Sequence, residues 1–297
     1  MTGRTADVFS GHESFACRYG WLPKLYECVT ATPTIFSNEE DAIIALGIGK
    51  NMVRSIRFWG DAFGLTQPSG REVAFTGFAR QLLDPTTGRD PYLADTASLW
   101  RLHWVIATTA NLAAWKIAFS EVQDTELTKQ RLSDLVHRRA AEIRGAVTAT
   151  TVAQHIDVFL RTYDAGRPRG GMLLEDTLSC PLQELGLLTV DDAAADVIRF
   201  RRGPKPSLDV PAFAFALEVF WRRVAPESRT LSLRTIMFDA AGPGTVFRLD
   251  ENSVHGLLTA ICSSTTAFDV REDGAGGIDL VSRGADPVGA LAEVAWQ

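Results

Sequence analysis

The sequence predicts a mainly helical α+β protein with small β-hairpins, and three observations carry that expectation. Apolar residues recur at helical spacing over long stretches, as in Met52, Val53, Ile56, Trp59 and Phe63. Short extended pieces flank turn-rich segments, around 66–71 and again around 272–277. Gly47-Ile48-Gly49 makes a sharp break between two helical patterns, so that one helix follows another across a tight turn. Together they predict an N-terminal winged helix-turn-helix domain over 1–95, a helical core region over 96–165 and a C-terminal α+β domain over 172–297 with a helical, winged-helix-like character.

The first domain follows from its punctuation. Ser37 is expected to cap a helix whose first turn carries Glu39, Glu40 and Asp41 and which stops near Gly47. In the next helix, 49–62, Lys50, Arg54 and Arg57 line up on one face while the apolar residues occupy another, the build of a helix that enters a DNA groove. An amphipathic helix with a solvated basic face has the same pattern. Extended pieces around the turn at 66–71 supply the wing, and Thr76 is expected to cap a helix through Leu83.

After the turn-rich break at 85–91, residues 96–144 read as helices with a core-forming aromatic load that includes Trp100, Trp104, Trp115 and Phe119. A helix near 151–163 precedes the glycine-rich stretch 164–171, expected to be a mobile loop or linker. In the last domain, a short helix stopped at Gly186, an extended piece at 197–201, a helix at 251–262 and a hairpin at 267–281 repeat the helix-then-hairpin order.

Composition excludes several classes. Of 297 residues, 46% are hydrophobic and 22% charged, and no apolar run approaches the roughly 20 residues of a membrane span. The first residues lack the apolar core of a signal peptide, which predicts a cytoplasmic protein. Cys17, Cys28, Cys180 and Cys262 are too scattered for a zinc knuckle and are expected as free thiols. A net charge of −6 argues against indiscriminate coating of nucleic acid, yet Arg199, Arg201, Arg202 and Lys205 form a local basic cluster suited to a DNA footprint.

Two constellations are candidates for chemistry. His12 and Glu13, bracketed by Phe9 and Phe15, offer a base and an acid; the structural alternative has His12 bonding backbone and Glu13 pairing with Arg18. Asp250 and Glu251, with Asn252, suit a Mg²⁺ ion in a nuclease, while the structural alternative makes Asp250 a helix cap with Glu251 in the first turn. Asp157 and Arg161 have the spacing of a surface ion pair, Glu175–Asp176 is a further acidic pair, and His103 belongs in a core. The segment at Gly47 lacks the spacing of a phosphate-binding loop, so no nucleotide cofactor is expected.

The segments 9–15, 18–22, 46–57, 90–93, 99–104 and 247–253 together resemble a bacterial domain-of-unknown-function family linked to DNA phosphorothioate modification, that of the SspB-type component of the Ssp system. The likeness spans nearly the whole chain. It implies a DNA-binding protein of a phage-defence system that nicks one strand. It implies work beside a cysteine desulfurase, an ATPase and an ATP-pyrophosphatase-like sulfur-transfer enzyme, with sulfur replacing a non-bridging phosphate oxygen. The resemblance assigns catalysis to no residue. The expectation is therefore a nickase on double-stranded DNA, with Lys50, Asn51, Arg54 and Arg57 at the major groove, Arg201 and Arg202 as further contacts, and a divalent metal if it cuts. A non-enzymatic winged-helix adaptor or transcriptional regulator is the alternative, and a homodimer is left open.

Overall fold

Polar caps and close backbone approaches set the first elements of the computed structural model, which describes residues 7–142, 147–164, 180–191, 196–272 and 276–297. Helix α1 (Trp21–Ala31) is followed by a 3₁₀ turn (Ile35–Ser37), α2 (Glu39–Leu46) and α3 (Lys50–Ala62). Asn38, not Ser37, caps α2 by accepting from the Glu40 amide at 3.0 Å. Ser37 instead donates its hydroxyl to the carbonyl of Arg71 at 3.0 Å, tying the turn to the hairpin tip. Helix α2 ends at Gly47, whose φ of 61° is the left-handed conformation that glycine adopts without strain.

Strands β1 (Thr66–Ser69) and β2 (Glu72–Phe75) pair antiparallel from Thr66↔Phe75 to Ser69↔Glu72, and Thr76 caps α4 (Gly77–Leu83). Val53, Ile56 and Trp59 bury the inner face of α3. At Gly60 a β-carbon would lie 2.4 Å from Cδ2 of Leu25 and 2.9 Å from Oγ1 of Thr66, so α1 and the start of β1 close on α3 at bare backbone.

Two compact units emerge, Met1–Ile117 with Glu126–Arg199, and Ala118–Thr125 with Phe200–Gln297. The first contains α5 (Thr96–Thr108), α6 (Ala113–Lys116), β3 (Glu126–Thr128), α7 (Lys129–Ala141), α8 (Ala149–Tyr163), a 3₁₀ turn (Pro181–Leu185) and β4 (Leu188–Asp191); β5 (Val197–Phe200) closes it. A π turn (Ile117–Glu121) follows α6. Residues expected as two domains, 1–95 and 96–165, thus share one unit apart from 118–125, and the C-terminal unit begins at 200 rather than 172. The reason is a pairing far apart in sequence, β3 with β5 through Leu127↔Ile198. The glycine-rich stretch 165–171 and the pair Glu175–Asp176 lie outside the described residues.

The second unit contains α9 (Val210–Val224), β6 (Thr230–Ser232), α10 (Leu233–Phe238), α11 (Pro243–Val246), α12 (Glu251–Ser264), β7 (Phe268–Glu272), β8 (Ile278–Ser282) and α13 (Pro287–Ala295). Its sheet order, β6-β8-β7, repeats the β3-β5-β4 order of the first unit. Both sheets start the same way. A three-residue strand buries its middle leucine, Leu127 or Leu231, and its last residue, Thr128 or Ser232, caps the next helix with a 3.1 Å bond from an amide three residues on. Among the described residues no helix is long and apolar enough to cross a membrane.

Candidate nucleic-acid interface

Lys50, Asn51, Arg54 and Arg57 all lie exposed on α3, on the side away from its buried Val53, Ile56 and Trp59. Their charge is not all available. Glu39, on α2, takes Lys50 at 2.6 Å and Arg54 at 2.8 Å, and these contacts, the Lys50 bond foremost, hold its carboxyl below the usual range. Arg57 spreads over the ring of Phe36 at 5.7 Å, which orients the guanidinium while leaving it charged.

The loop carrying His12 and Glu13 is fastened to the inner side of the same helix. The hydroxyl of Ser55 donates to the His12 carbonyl at 2.9 Å, and the Trp59 indole donates to the Phe15 carbonyl at 3.0 Å. Arg161 holds the Ser14 carbonyl at 2.8 Å and pairs with Asp157 at 2.7 Å, the ion pair read from their spacing. Glu13 and Ser14 adopt left-handed φ of 48° and 63°, a strained pair that the surrounding bonds over-determine.

His12 is 3% exposed, with Nε2 at 3.3 Å from Nδ1 of His155, which in turn accepts the Ala114 amide on Nε2 at 3.1 Å. Burial, and secondarily the charge of Arg161, lowers the His12 pKa to about 4. Burial, then His12, lowers that of His155 to about 3. Both rings are neutral near pH 7 and spent on packing. Glu13 remains half-exposed and is not paired with Arg18, which instead lies over Phe15 and Trp21 at 5.6 and 5.8 Å. His103 sits in the core, bonded to Tyr163 at 2.8 Å.

In the second unit, Arg201 and Arg202 are exposed beside a buried arginine that composition did not single out. Arg248, 4% exposed with φ 55°, donates to the carbonyls of Asp124 and Ala118 and lies 4.1 Å over the Phe200 ring. Burial lowers its pKa to about 10. Lys205 donates to the carbonyls of Arg201, Gly203 and Arg248, and burial brings its pKa to about 8.

Asp250 and Glu251 do not fit a metal site. Oδ1 of Asp250 accepts the Ser253 amide at 2.8 Å as the cap of α12, and bonds from Ser253, its hydroxyl first and then its amide, with the Lys205 and Arg202 charges behind them, keep the carboxyl low. A carboxylate spent on a cap and faced by two cations is a poor Mg²⁺ ligand. Glu251 stands exposed in the first turn, where it favours the helix dipole. Among the described residues no group of three or more His, Cys, Asp or Glu is placed to share a metal ion.

Residues 9–293 match the family described as "Protein of unknown function (DUF4007)". The chain belongs to that family. It is also similar to two solved structures: the "Magnesium ion-bound SspB crystal structure", with 31% identity and a TM-score of 0.85, and the "SspB crystal structure", with 30% identity and a TM-score of 0.82. Each alignment covers 96% of this chain and 85% of the other. No protein with a curated description matches. This DUF4007 chain is therefore of the SspB type over nearly its full length, and its helix, loop and hairpin at 9–75 lie inside the matched region.

Proposed function

We propose that this chain is the DNA-engaging component of an Ssp-type phosphorothioation system, acting in the cytoplasm, and that it nicks one strand of double-stranded DNA. The observation that carries the reading is the exposed face of Lys50, Asn51, Arg54 and Arg57 on the helix directly before the β1–β2 hairpin, in a chain similar to SspB along its length. Helix, helix, tight turn, helix and hairpin is the order of a winged helix-turn-helix, with α3 as the groove-entering helix. Lysine and arginine there meet phosphates or guanine edges, and Asn51 suits adenine. Arg201 and Arg202 add phosphate contacts from the second unit.

Of the acids weighed for cutting, Glu13 is the best placed. It is half-exposed, lies on a strained loop tied to α3, and has no bonded partner among the described residues, whereas His12 and Asp250 are already committed. Its carboxylate is suited to take a proton from an attacking water. Magnesium, which a solved SspB structure contains, is the cofactor we propose, held by one or two side chains with water and DNA phosphate rather than by a protein cage. No nucleotide is required. The partners are the sulfur-transfer enzymes of the system: a cysteine desulfurase, an ATPase and an ATP-pyrophosphatase-like enzyme.

The test is conversion of supercoiled plasmid to open circles by the purified chain with Mg²⁺, beside a gel shift. The expected result is nicking by the wild type and none by Glu13→Gln, with the shift retained. Plasmid that stays supercoiled while DNA binding persists would leave a non-enzymatic adaptor.

A further inference from the structure

The loop that carries Glu13 is held by three side chains, and only one of them stands outside the core. Ser55 and Trp59, on α3 and fully buried, donate to the carbonyls of His12 and Phe15. Arg161, on α8 and half-exposed, donates to the carbonyl of Ser14 between them. Its Nη2 makes two bonds: one hydrogen goes to Ser14, 147 positions back, at 2.8 Å, and the other to Oδ2 of Asp157 at 2.7 Å. A plain surface ion pair needs only the second. Asp157 fixes the plane of the guanidinium, and Gln183 of the 3₁₀ turn donates to the carbonyl of Arg161 itself at 2.8 Å, bracing the end of α8. The Tyr19 hydroxyl reaches Glu184 on the same turn. The charge of Arg161 is also felt at His12, on the other side of Glu13 in the chain.

We propose that Arg161 is a positioning residue for the Glu13 carboxylate, a role that rests on the reading of Glu13 as the base. Glu13 and Ser14 are non-glycine residues in left-handed backbone, a conformation that persists only where its surroundings hold it. Two bonds close the turn from within, from the Phe15 amide to the His12 carbonyl at 2.8 Å and from the Ser14 amide to Nδ1 of His12 at 3.3 Å. Neither involves the Ser14 carbonyl, whose side-chain partner is Arg161. Loss of that bond frees the peptide after Ser14 to turn and lets the strained pair relax, carrying Glu13 with it. A base displaced by about 1 Å loses about a hundredfold in rate. Arginine suits the task because its planar fork sets direction as well as distance.

Arg161→Met keeps the stem and removes the donors, while Arg161→Lys keeps a charge and a donor on a shorter reach. Plasmid nicking is measured against DNA concentration with the full chain, duplex binding across salt concentrations, and hydrogen exchange at the amides of Ser14 and Phe15. For Arg161→Met the expected result is a turnover about ten- to a hundredfold lower with KM, salt slope and melting temperature unchanged, and faster exchange at both amides. Arg161→Lys recovers part of the turnover. Unchanged exchange overturns the proposal, and so does unchanged turnover against a wild type that nicks. A salt slope lower by about one means that Arg161 binds a phosphate itself, which also overturns it. A wild type that does not nick, or Glu13→Gln that does, removes the base instead; faster exchange in Arg161→Met then still keeps Arg161 as the anchor of the loop.

Discussion

Helices α3 and α12 hold the same place in one element order, each directly before a two-stranded hairpin, yet they meet solvent with different chemistry. The outer face of α3 carries Lys50, Arg54 and Arg57, whereas the fourteen residues of α12 contain no lysine or arginine and expose Glu251, Asn252, Thr259 and Ser263. Inside, the two are alike: Val53, Ile56 and Trp59 on one, Val254, Leu258 and Ile261 on the other, all buried. The difference teaches that apolar spacing places such a helix, while the residues between decide what it can touch. In the second unit, positive charge lies off this helix, at Arg201, Arg202 and Lys205 in the segment before α9 and at Arg248 just before α12.

The comparison is broken most forcefully from inside. Trp59→Ala is expected to cost about 3–5 kcal/mol and Leu258→Ala about 2–5 kcal/mol in denaturant titrations, because both side chains are fully buried. A loss under about 1 kcal/mol at either position would refute the equivalence of the two cores.

Acid separates the units next. The buried histidines among the described residues, His12, His103 and His155, all belong to the first unit. The pKa values of His12 and His155 fall from 6.5 to about 4 and about 3 on folding. The unfolded chain therefore binds these protons first. Their contribution is whole above pH 6.5, declines as pH falls toward about 4, and has a limiting slope of about 1.4 kcal/mol per pH unit for each ring. His12→Asn should flatten stability against pH in that window, measured by urea unfolding at several pH values; an unchanged slope would count against the buried pair.

The smallest effect sharpens the outer faces. Glu39→Gln releases Lys50 and Arg54, and DNA affinity at low salt should rise about three- to tenfold. Glu251→Lys, at the matching end of α12, should change it by less than about twofold. Fluorescence anisotropy with one duplex checks both, and equal responses would erase the distinction between the helices.

Much of this was legible in the sequence. Helix α3, the hairpin at 66–75, the Thr76 cap, the Asp250 cap and the helix from Glu251 rest on local spacing and short-range bonds, which a single chain segment displays. Strands β3 and β6, three residues each, are too short to show a period and become strands only through partners about 70 and 50 residues away. The site was hidden for the same reason. His12 gains its meaning from His155, 143 positions on, and Arg248 from carbonyls more than 120 positions back. Glu39 reads as a first-turn acid on its own helix, and nothing in its spacing announces the two cations of the next one.

Gly60 gives the basic helix a mutational fate of its own. Where a spacing depends on a missing carbon, any other amino acid forces the side chain of Leu25 or Thr66 to shift, so Gly60→Ala is expected to disturb the seat of the helix. Eleven residues earlier, Gly49 has no neighbouring atom within 4 Å of where a β-carbon would stand and a φ of −68°, so that position is open to alanine. The seat of the helix is fixed at one end, and its approach is adjustable at the other.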